Sequence, residues 1–411
     1  MKKLLVVIPF IPYPLNTGGN QGSFHMLNFI KDYFDTHVWF HINNPKSSQQ
    51  LINDFSNALN NKVTIHYTAN KIGRNYITAR AIKRKFDHYF LDKDIQYRHN
   101  SILWGEGESG YADIAALEDI NRIINDFKID IVQNEYMSTL DFIYAYPKNV
   151  KTIFVHHELR YVRQKTLLQQ LEKIFAYDRY KYEKQFNEEI STLNKYDQVI
   201  TMSDIDKEKL LEVGVKTKIS TSPSFIPQPS FPDFVPTTFR LSYVASGGHY
   251  PNVEGLEWFI NNIHPLLHSI KPNYILDVCG PKWKVQNINA TIPDNIHFKG
   301  FVDDLRDIIP GSIMIVPILS GSGMRMKILE SVNNSVPFVS TTVGAEGLDF
   351  SDGHNCFISD NPDTFKDSII RLFSDESLQK KFVLNARDLY NKKYAPNVQA
   401  EKRLRILKDI V

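Results

Sequence analysis

The sequence predicts an α/β protein with two doubly wound parallel sheets. Along its 411 residues, short apolar runs typical of buried strands alternate with longer helical patterns. This alternation indicates parallel sheets covered by helices on both faces. It restarts after residues 221–238, where five prolines favour a linker over a helix. We therefore predict two domains, at residues 1–232 and 233–411, that face each other across a cleft.

The predicted strands form two series, one on each side of the linker. The first series comprises Leu4–Ile8, Thr36–His41, Val63–Tyr67, Ile129–Gln133, Thr152–His156 and Gln198–Met202. The second comprises Arg240–Ala245, Tyr274–Cys279, Ile296–Gly300, Ile313–Pro317 and Pro337–Thr341. Helical patterns lie between most of them, for example at Gly22–Tyr33, Asp113–Phe127, Asp204–Val213, Val253–Ile270 and Met324–Asn333. Ligands bind beyond the carboxyl ends of such strands, so the cleft between the domains is the expected site.

The composition excludes several classes of protein. Hydrophobic residues make up 42% and charged residues 23%, which is typical of a globular chain and not of a disordered or fibrous one. The formal net charge of +2 gives no strong field, so we expect no nucleic-acid partner. The two cysteines, Cys279 and Cys356, are too few for a disulfide framework. A reducing cytoplasm is therefore the expected location.

Any contact with a membrane is expected to be peripheral. The apolar run Leu4–Ile8 ends at Pro9, and no stretch reaches the roughly 18–20 apolar residues of a membrane span. The segment Lys71–Lys93 carries clustered Lys and Arg residues among aromatic and aliphatic ones. Two interpretations stay open for this segment: a helix resting on anionic lipid at the inner face of the cytoplasmic membrane, or a solvated surface helix.

The most informative stretch runs from the predicted strand Ile313–Pro317 through a glycine-rich turn into a helix. Glycines let the backbone approach a ligand closely, and the first N–H groups of a helix attract anions. Arg325 and Lys327 add positive charge where cations are otherwise unfavourable, so we expect a diphosphate there. The alternative is an ion pair between Lys327 and Glu330, with Arg325 simply exposed. Glu330, one turn further on, is placed to accept hydrogen bonds from ribose hydroxyls.

The longest motif of the chain is Gly-Ser-Gly-Met-Arg-Met-Lys-Ile-Leu-Glu at 321–330, followed by Val-Pro-Phe-Val-Ser-Thr-Thr-Val-Gly-Ala-Glu-Gly-Leu at 336–348. Shorter motifs lie at 197–203, 246–252 and 300–304. In this order and spacing they resemble the family 4 retaining glycosyltransferases of the GT-B fold, whose donor site carries the longest motif. The resemblance implies two Rossmann-like domains. The first binds the acceptor, the second binds the nucleotide-sugar donor, and the last helix packs back on the first.

The resemblance implies a UDP- or GDP-sugar as the donor, with neither a metal ion nor a further cofactor. The donor-binding residues that it implies are Gly18, Gly19, Gly247, Gly248, Asn252, Gly280, Val302, Gly323, Met324, Arg325, Lys327 and Glu330. The chain departs from the family pattern at two places. Ser322 stands where the first Glu of the donor motif is expected, and residues 248–252 replace the usual Arg and Lys. We expect Arg325 and Lys327 to bind the diphosphate instead.

His156, His157 and Glu158 lie at the carboxyl end of a predicted strand in the first domain. A metal site is disfavoured because adjacent strand residues point to opposite faces, and a histidine satisfied by the backbone is an alternative for each. The resemblance implies that a histidine here contacts the transferred sugar, and His156 is our candidate. With Arg325 and Lys327 it forms the predicted catalytic set. The candidates on the acceptor side are Asn20, Glu135, His157, Glu158 and Arg160.

These features predict an enzyme that moves a sugar to an acceptor hydroxyl with retention of the anomeric configuration. The expected acceptor is a glycan or a lipid-linked glycan, in polysaccharide or glycolipid biosynthesis. Two alternatives stay open: a GT-B nucleotide-sugar epimerase or hydrolase, and a non-catalytic nucleotide-sugar-binding protein. Gly18, Gly19 and His156 count against the binding protein. The helix with Arg325, Lys327 and Glu330, followed by the turn at 344–347, counts against the epimerase.

Overall fold

A computed structural model of the chain describes residues 1–42, 45–69, 114–169, 171, 173–225, 231–237, 239–321 and 323–410. The segment Lys71–Lys93 lies outside the described residues, as do Ser322 and residues 226–230 of the predicted linker. Among the helices that are described, none is long and apolar enough to cross a membrane.

The first domain is built around seven parallel strands. These are β1 (Lys3–Ile8), β2 (Asp35–Ile42), β3 (Thr64–Ala69), β4 (Ile131–Glu135), β5 (Lys151–His156), β6 (Gln198–Thr201) and β7 (Lys218–Thr221), in the order β3-β2-β1-β4-β5-β6-β7. Its helices are α1 (Gly18–Ile30), α2 (Pro45–Ala58), α3 (Ile114–Phe127), α4 (Arg160–Gln169), α5 (Ala176–Leu193) and α6 (Asp204–Glu212), with a 3₁₀ helix at Met137–Ala145. The strand order reverses between β1 and β4, so their carboxyl ends border the crevice in which such sheets bind ligands.

The second domain is built around six parallel strands. These are β8 (Arg240–Val244), β9 (Ile275–Cys279), β10 (Ile296–Gly300), β11 (Ile313–Val316), β12 (Phe338–Ser340) and β13 (Phe357–Ile358), in the order β10-β9-β8-β11-β12-β13. Its helices are α7 (Tyr250–Trp258), α8 (His264–Ile270), α9 (Met326–Asn333), α10 (Thr342–Ala345), α11 (Pro362–Ser374) and α12 (Glu376–Lys393). Here the order reverses between β8 and β11. The predicted fold class, two doubly wound parallel sheets, is confirmed.

Strand β1 shows why the buried strands form unbroken apolar runs. Leu4, Val6 and Ile8 pack in one core with residues of α1 and α2, whereas Leu5 and Val7 pack in a second core with residues of α3. All five side chains are fully buried. Because helices cover both faces of the sheet, both sets of alternating side chains must be apolar.

Helix α1 begins one turn before the predicted Gly22. The hydroxyl of Thr17 accepts a hydrogen bond from the N–H of Asn20 at 3.1 Å, which caps the helix and places Gly18 and Gly19 in its first turn. The two glycines are therefore part of a helix N-terminus.

Two helices of the second domain also differ from the prediction. Helix α9 begins at Met326, so Arg325 precedes the first turn and Lys327 lies within it. The predicted helix Val253–Ile270 contains a π-helical turn at Phe259–Ile263. Pro265 follows this turn and lacks the N–H that would continue an α-helical ladder.

A last helix, α13 (Pro396–Asp409), returns to the first domain. Its residues Ala400, Leu404 and Leu407 belong to the core that also holds α1 and α2. Buried Arg403 fixes the contact, because its Nε and Nη2 donate to the hydroxyl and the carbonyl of Ser222 at 3.1 and 3.0 Å. We propose domain limits at residues 1–232 and 233–411, with α13 packed on the first domain.

Candidate functional site between the domains

A cavity of about 1020 Å³ lies between the two domains. The first domain lines it with the loop before α1, the start of α1 and Tyr136, and the second with the loops after β8, β9 and β10 and the start of α9. Both reversals of strand order therefore face one cavity, the usual position of a ligand in open α/β sheets. The predicted site residues that line it are Gly18, Gly19, Gly248, Asn252, Gly280, Val302, Met324, Arg325, Lys327 and Glu330.

Glycine Gly323 shapes the loop before α9. Its φ of +81° lies in the left-handed region that side chains disfavour. A Cβ at this position would also overlap the carbonyl oxygen of His157 in the first domain. Gly323 thus permits close approach of the two domains, and it does not itself line the cavity. Gly247 lies against Trp283 and is also outside the cavity lining.

Arg325 lies on the cavity wall immediately before α9. Burial lowers the pKa of its guanidinium, and the carboxylates of Glu158 and Glu346 oppose this shift by favouring the charged form. Arginine is not deprotonated in proteins. The wall therefore carries a permanent positive charge at this point.

Lys327 lies in the first turn of α9, and the second domain fixes its ammonium group. Nζ donates a hydrogen bond to Oδ1 of Asn252 at 2.8 Å and lies 4.9 Å from the centroid of the Tyr243 ring. Burial, together with the charge of Arg325, lowers the pKa of Lys327 to about 7. In the described part of the chain, Lys327 thus has Asn252 as its polar partner, and not Glu330 as in the alternative interpretation.

Glu330 lies one turn further along α9 and meets the first domain there. Burial raises the pKa of its carboxyl to about 7, and a hydrogen bond with Gln21 of α1 partly opposes the shift. Gln21 also lines the cavity. It was not among the residues predicted from the sequence, although it stands on the same helix end as Gly18 and Gly19.

The loops after β9 and β10 close the far end of the cavity. Gly280 has a φ of +136°, and a Cβ there would overlap the carbonyl oxygen of Ala245, so only glycine fits. Phe301 and Val302 line the same end, and the Phe301 side chain is 50% exposed. An exposed aromatic ring in a cavity is a surface on which a nucleotide base can stack. Both residues lie in the 300–304 motif, and of the two only Val302 was named from the sequence as a donor-binding residue.

His156, at the end of β5, is fully buried. Its side chain has 0% of its surface exposed, and its Nε2 is 2.9 Å from Oε1 of Glu189 on α5. Arg160 contacts the same carboxylate, with Nε 3.6 Å from Oε2. Neither His156 nor Arg160 lines the cavity. A contact between His156 and the transferred sugar stays a prediction, and the structure places both residues against the buried carboxylate of Glu189 in the first domain.

His157 is held by a different carboxylate. Its Nε2 is 2.7 Å from Oε2 of buried Glu135, and its ring stacks on Tyr136 with 4.0 Å between centroids and 9° between planes. Tyr136 lines the cavity, whereas Glu135 and His157 do not. These two acceptor-side candidates therefore reach the cavity wall through Tyr136. In the sequence, Tyr136 is marked only by its position directly after a buried strand.

The two remaining acceptor-side candidates also make contacts away from the cavity lining. Glu158 forms an ion pair with Arg163 at 2.9 Å. Asn20 donates from Nδ2 to the carbonyl of Pro14 at 2.7 Å, which orders the loop before α1. Neither lines the cavity.

The described residues contain no group of three or more His, Cys, Asp or Glu side chains arranged to hold a metal ion. The two adjacent histidines illustrate why, since His156 pairs with Glu189 and His157 with Glu135. Each histidine thus contacts its own carboxylate.

Known glycosyltransferase families match both parts of the chain. The family described as Glycosyltransferase Family 4 matches residues 63–227, and the family described as Glycosyl transferases group 1 matches residues 240–375. A 44.6 kDa protein in the cps region of Klebsiella pneumoniae is 27% identical over 152 residues. That match spans 35% of this chain and 39% of the Klebsiella protein, so the chain covers well under half of that relative's length.

Solved structures with the same fold match nearly the whole chain. A complex of Staphylococcus aureus TarM with UDP has a TM-score of 0.68 at 12% identity, covering 98% of this chain and 99% of TarM. A complex of Anabaena HepE with UDP-glucose has a TM-score of 0.64 at 10% identity, covering both chains fully. The fold is therefore GT-B, and with the two family matches it supports classing the chain as a GT-B glycosyltransferase.

Proposed function

We propose that the protein is a retaining glycosyltransferase that moves a sugar from a UDP- or GDP-sugar to an acceptor hydroxyl. The proposal rests on the charged residues at the start of α9. Arg325 and Lys327 supply two cations at a helix N-terminus on the cavity wall, and Glu330 stands one turn further along. Cations at this position suit a diphosphate, and the carboxylate suits the ribose hydroxyls beyond it.

The proposed reaction breaks the bond between the anomeric carbon and the diphosphate oxygen. The acceptor oxygen bonds to the anomeric carbon on the same face, and its proton passes to the departing phosphate. Negative charge grows on the diphosphate, where Arg325, Lys327 and the N-terminus of α9 stabilise it. The proposal therefore needs neither a protein nucleophile nor a metal ion or other cofactor.

The known relatives support the choice of donor. The solved TarM and HepE structures are complexes with UDP and UDP-glucose, respectively. We propose a glycan or lipid-linked glycan as the acceptor, in the biosynthesis of a cell-surface polysaccharide or glycolipid. The proposed location is the cytoplasm, with peripheral contact to the inner face of the cytoplasmic membrane.

Binding and turnover of a panel of UDP-, GDP- and other nucleotide sugars test the donor assignment. One class of nucleotide sugar should bind, and Glu330→Ala should weaken its binding by roughly 10- to 150-fold, the effect of losing hydrogen bonds to a charged group. Glu376→Ala is the matched control, because Glu376 lies at the start of α12 outside the cavity. Equal binding by Glu330→Ala and the wild type would refute the donor site.

The anomeric configuration of the product tests the reaction type. Proton NMR of the linkage should show the configuration of the donor sugar, and an inverted linkage would contradict the proposed mechanism. Acceptor-dependent turnover separates a transferase from an epimerase or a hydrolase. A product formed equally fast without any acceptor would favour those alternatives.

A further inference from the structure

Tyr136, directly after β4, has a backbone conformation that residues with a side chain rarely adopt. Its φ and ψ are 70° and 150°, a region used almost only by glycine. Such strain persists only where the surrounding contacts enforce it, and it concentrates at functional sites. Tyr136 also lines the cavity. Its contacts therefore indicate what the strained conformation achieves.

The Tyr136 ring is held from two directions. It stacks on His157 at 4.0 Å, and the ring of Phe10 lies 4.9 Å away at 53°. At its far end, the phenol oxygen donates a hydrogen bond to the carbonyl of Gly19 at 3.1 Å and lies 3.0 Å from the hydroxyl of Ser23. Gly19 and Ser23 belong to the first two turns of α1. The phenol therefore ties the start of α1 to the ends of β4 and β5.

A carboxylate hydrogen-bonded to His157 fixes the other side of the ring. Glu135 accepts from His157 at 2.7 Å and from Nε2 of Gln133 at 2.7 Å. Burial acts to raise the pKa of Glu135, but the hydrogen bond from His157 and the charges of His157 and Arg403 outweigh it, so the pKa lies below its usual value. The carboxylate thus holds the His157 ring at a fixed position beneath Tyr136.

The start of α1 has little freedom to move on its cavity side. A Cβ on Gly18 would lie 3.1 Å from Cγ of Met326, the first residue of α9 in the second domain. A Cβ on Gly19 would lie 3.1 Å from the phenol oxygen of Tyr136. The N-termini of α1 and α9 therefore meet at the cavity, and Tyr136 sets the position of α1.

We propose that Tyr136 is a positioning residue for sugar transfer. It acts through α1 by holding the backbone of Gly18 and Gly19 against the reacting end of the donor, while Glu135 and His157 hold Tyr136 itself. The inference rests on the proposed function. It assigns Glu135 and His157 to support of the ring and not to direct contact with the acceptor.

Tyr136→Phe tests this role, because it keeps the ring and the stacking and removes only the phenol hydrogen bonds. We expect kcat to fall about tenfold, the order of effect of one lost hydrogen bond. The dissociation constant of the preferred nucleoside diphosphate should change less than twofold, because Val302, Arg325, Lys327 and Glu330 all belong to the second domain. Tyr144→Phe is the control: it removes a contact of 3.2 Å with Thr192 outside the cavity lining, and kcat should not change.

A second variant, Glu135→Gln, tests the support of Tyr136 independently of donor binding. Glu135→Gln keeps the shape of the side chain and removes its charge, and it should lower kcat without weakening nucleoside diphosphate binding. If the wild type is active and Tyr136→Phe has an unchanged kcat, the role of Tyr136 is overturned but the proposed function is not. A parallel loss of kcat and nucleotide affinity would also overturn it, since that result indicates general damage. Wild type that turns over no nucleotide sugar would overturn the proposed function and this inference with it.

Discussion

The two walls of the cavity use their polar groups in opposite ways. On the second-domain wall, Arg325, Lys327 and Glu330 line the cavity. In the first domain, His156 and His157 contact the carboxylates of Glu189 and Glu135 and do not line the cavity. The second wall is thus equipped to bind a charged ligand directly. The first wall shapes the cavity with the backbone and rings that its buried pairs hold in place.

The largest expected effect comes from removing the fixed charge of the second wall. Arg325→Met should lower kcat by about 10²- to 10³-fold, the range found when one donor to a developing negative charge is lost. Arg325→Lys should retain part of the activity. Arg371→Met is the control, because Arg371 packs over the Phe357 ring outside the cavity. Steady-state kinetics measure the effect, and a loss of less than fivefold in Arg325→Met would contradict the role of this wall.

Gly323→Ala disturbs the close contact between the two domains behind the cavity. It forces a side chain into the left-handed region and against the His157 carbonyl, so we expect kcat to fall roughly 10- to 100-fold, the effect of about 1–3 kcal/mol of strain. Gly353→Ala is a matched control, because Gly353 also has a positive φ but open space around it. Both variants should lose some thermal stability, and only Gly323→Ala should lose activity. Equal activities would show that the contact is dispensable.

The pH dependence of donor binding distinguishes the groups within the second wall. Lys327 and Glu330 both have a pKa near 7. A diphosphate favours protonated Lys327, so affinity should fall as the pH rises above about 7. Ribose hydroxyls favour ionised Glu330, so affinity should fall as the pH drops below about 7.

Titrations of the nucleotide sugar between about pH 5.5 and 8.5 measure this dependence, because that range extends to both sides of a pKa of about 7. The wild type should bind best near neutral pH. Lys327→Met should keep only the loss at low pH, and Glu330→Gln only the loss at high pH. Lys366→Met is the control, because Lys366 forms an ion pair with Asp367 in the second domain and does not line the cavity. A flat profile in the wild type would contradict the assigned roles.

The smallest effect is expected from the ion pair between Lys209 and Glu346, which joins the two domains away from the cavity lining. Both side chains are partly exposed, so the pair should contribute about 0.2–1 kcal/mol. Lys209→Met should therefore change donor affinity by less than about fivefold, measured by isothermal titration. A larger loss would show that closure of the domains, and not the second wall alone, determines binding.

The fold and the second wall were predictable because their signals are local. The predicted strands are continuous apolar runs, and Arg325, Lys327 and Glu330 lie within six residues of each other on one strand–turn–helix segment. Their predicted chemistry follows from their position at a helix N-terminus and does not depend on contacts with distant parts of the chain.

Apart from Gly18 and Gly19, the first wall could not be predicted, because its contacts are distant in sequence. His156 is buried only because α5 brings Glu189 to it, and Gln21 reaches Glu330 only because the domains face each other. Tyr136 carries no sequence signal for its positive φ, which arises from tertiary contacts with His157 and α1. Even in the second wall, the start of α9 at Met326 was not evident from periodicity.

The most direct test of the second wall as a diphosphate site is a comparison of affinities. Isothermal titration would give dissociation constants for the nucleoside, the nucleoside monophosphate and the nucleoside diphosphate of the preferred donor, with the wild type and with Arg325→Met. We expect the wild type to bind the diphosphate about tenfold or more tightly than the nucleoside, the effect of charge-assisted hydrogen bonds. Most of that difference should vanish in Arg325→Met. An equal preference for the diphosphate in both proteins would contradict the account.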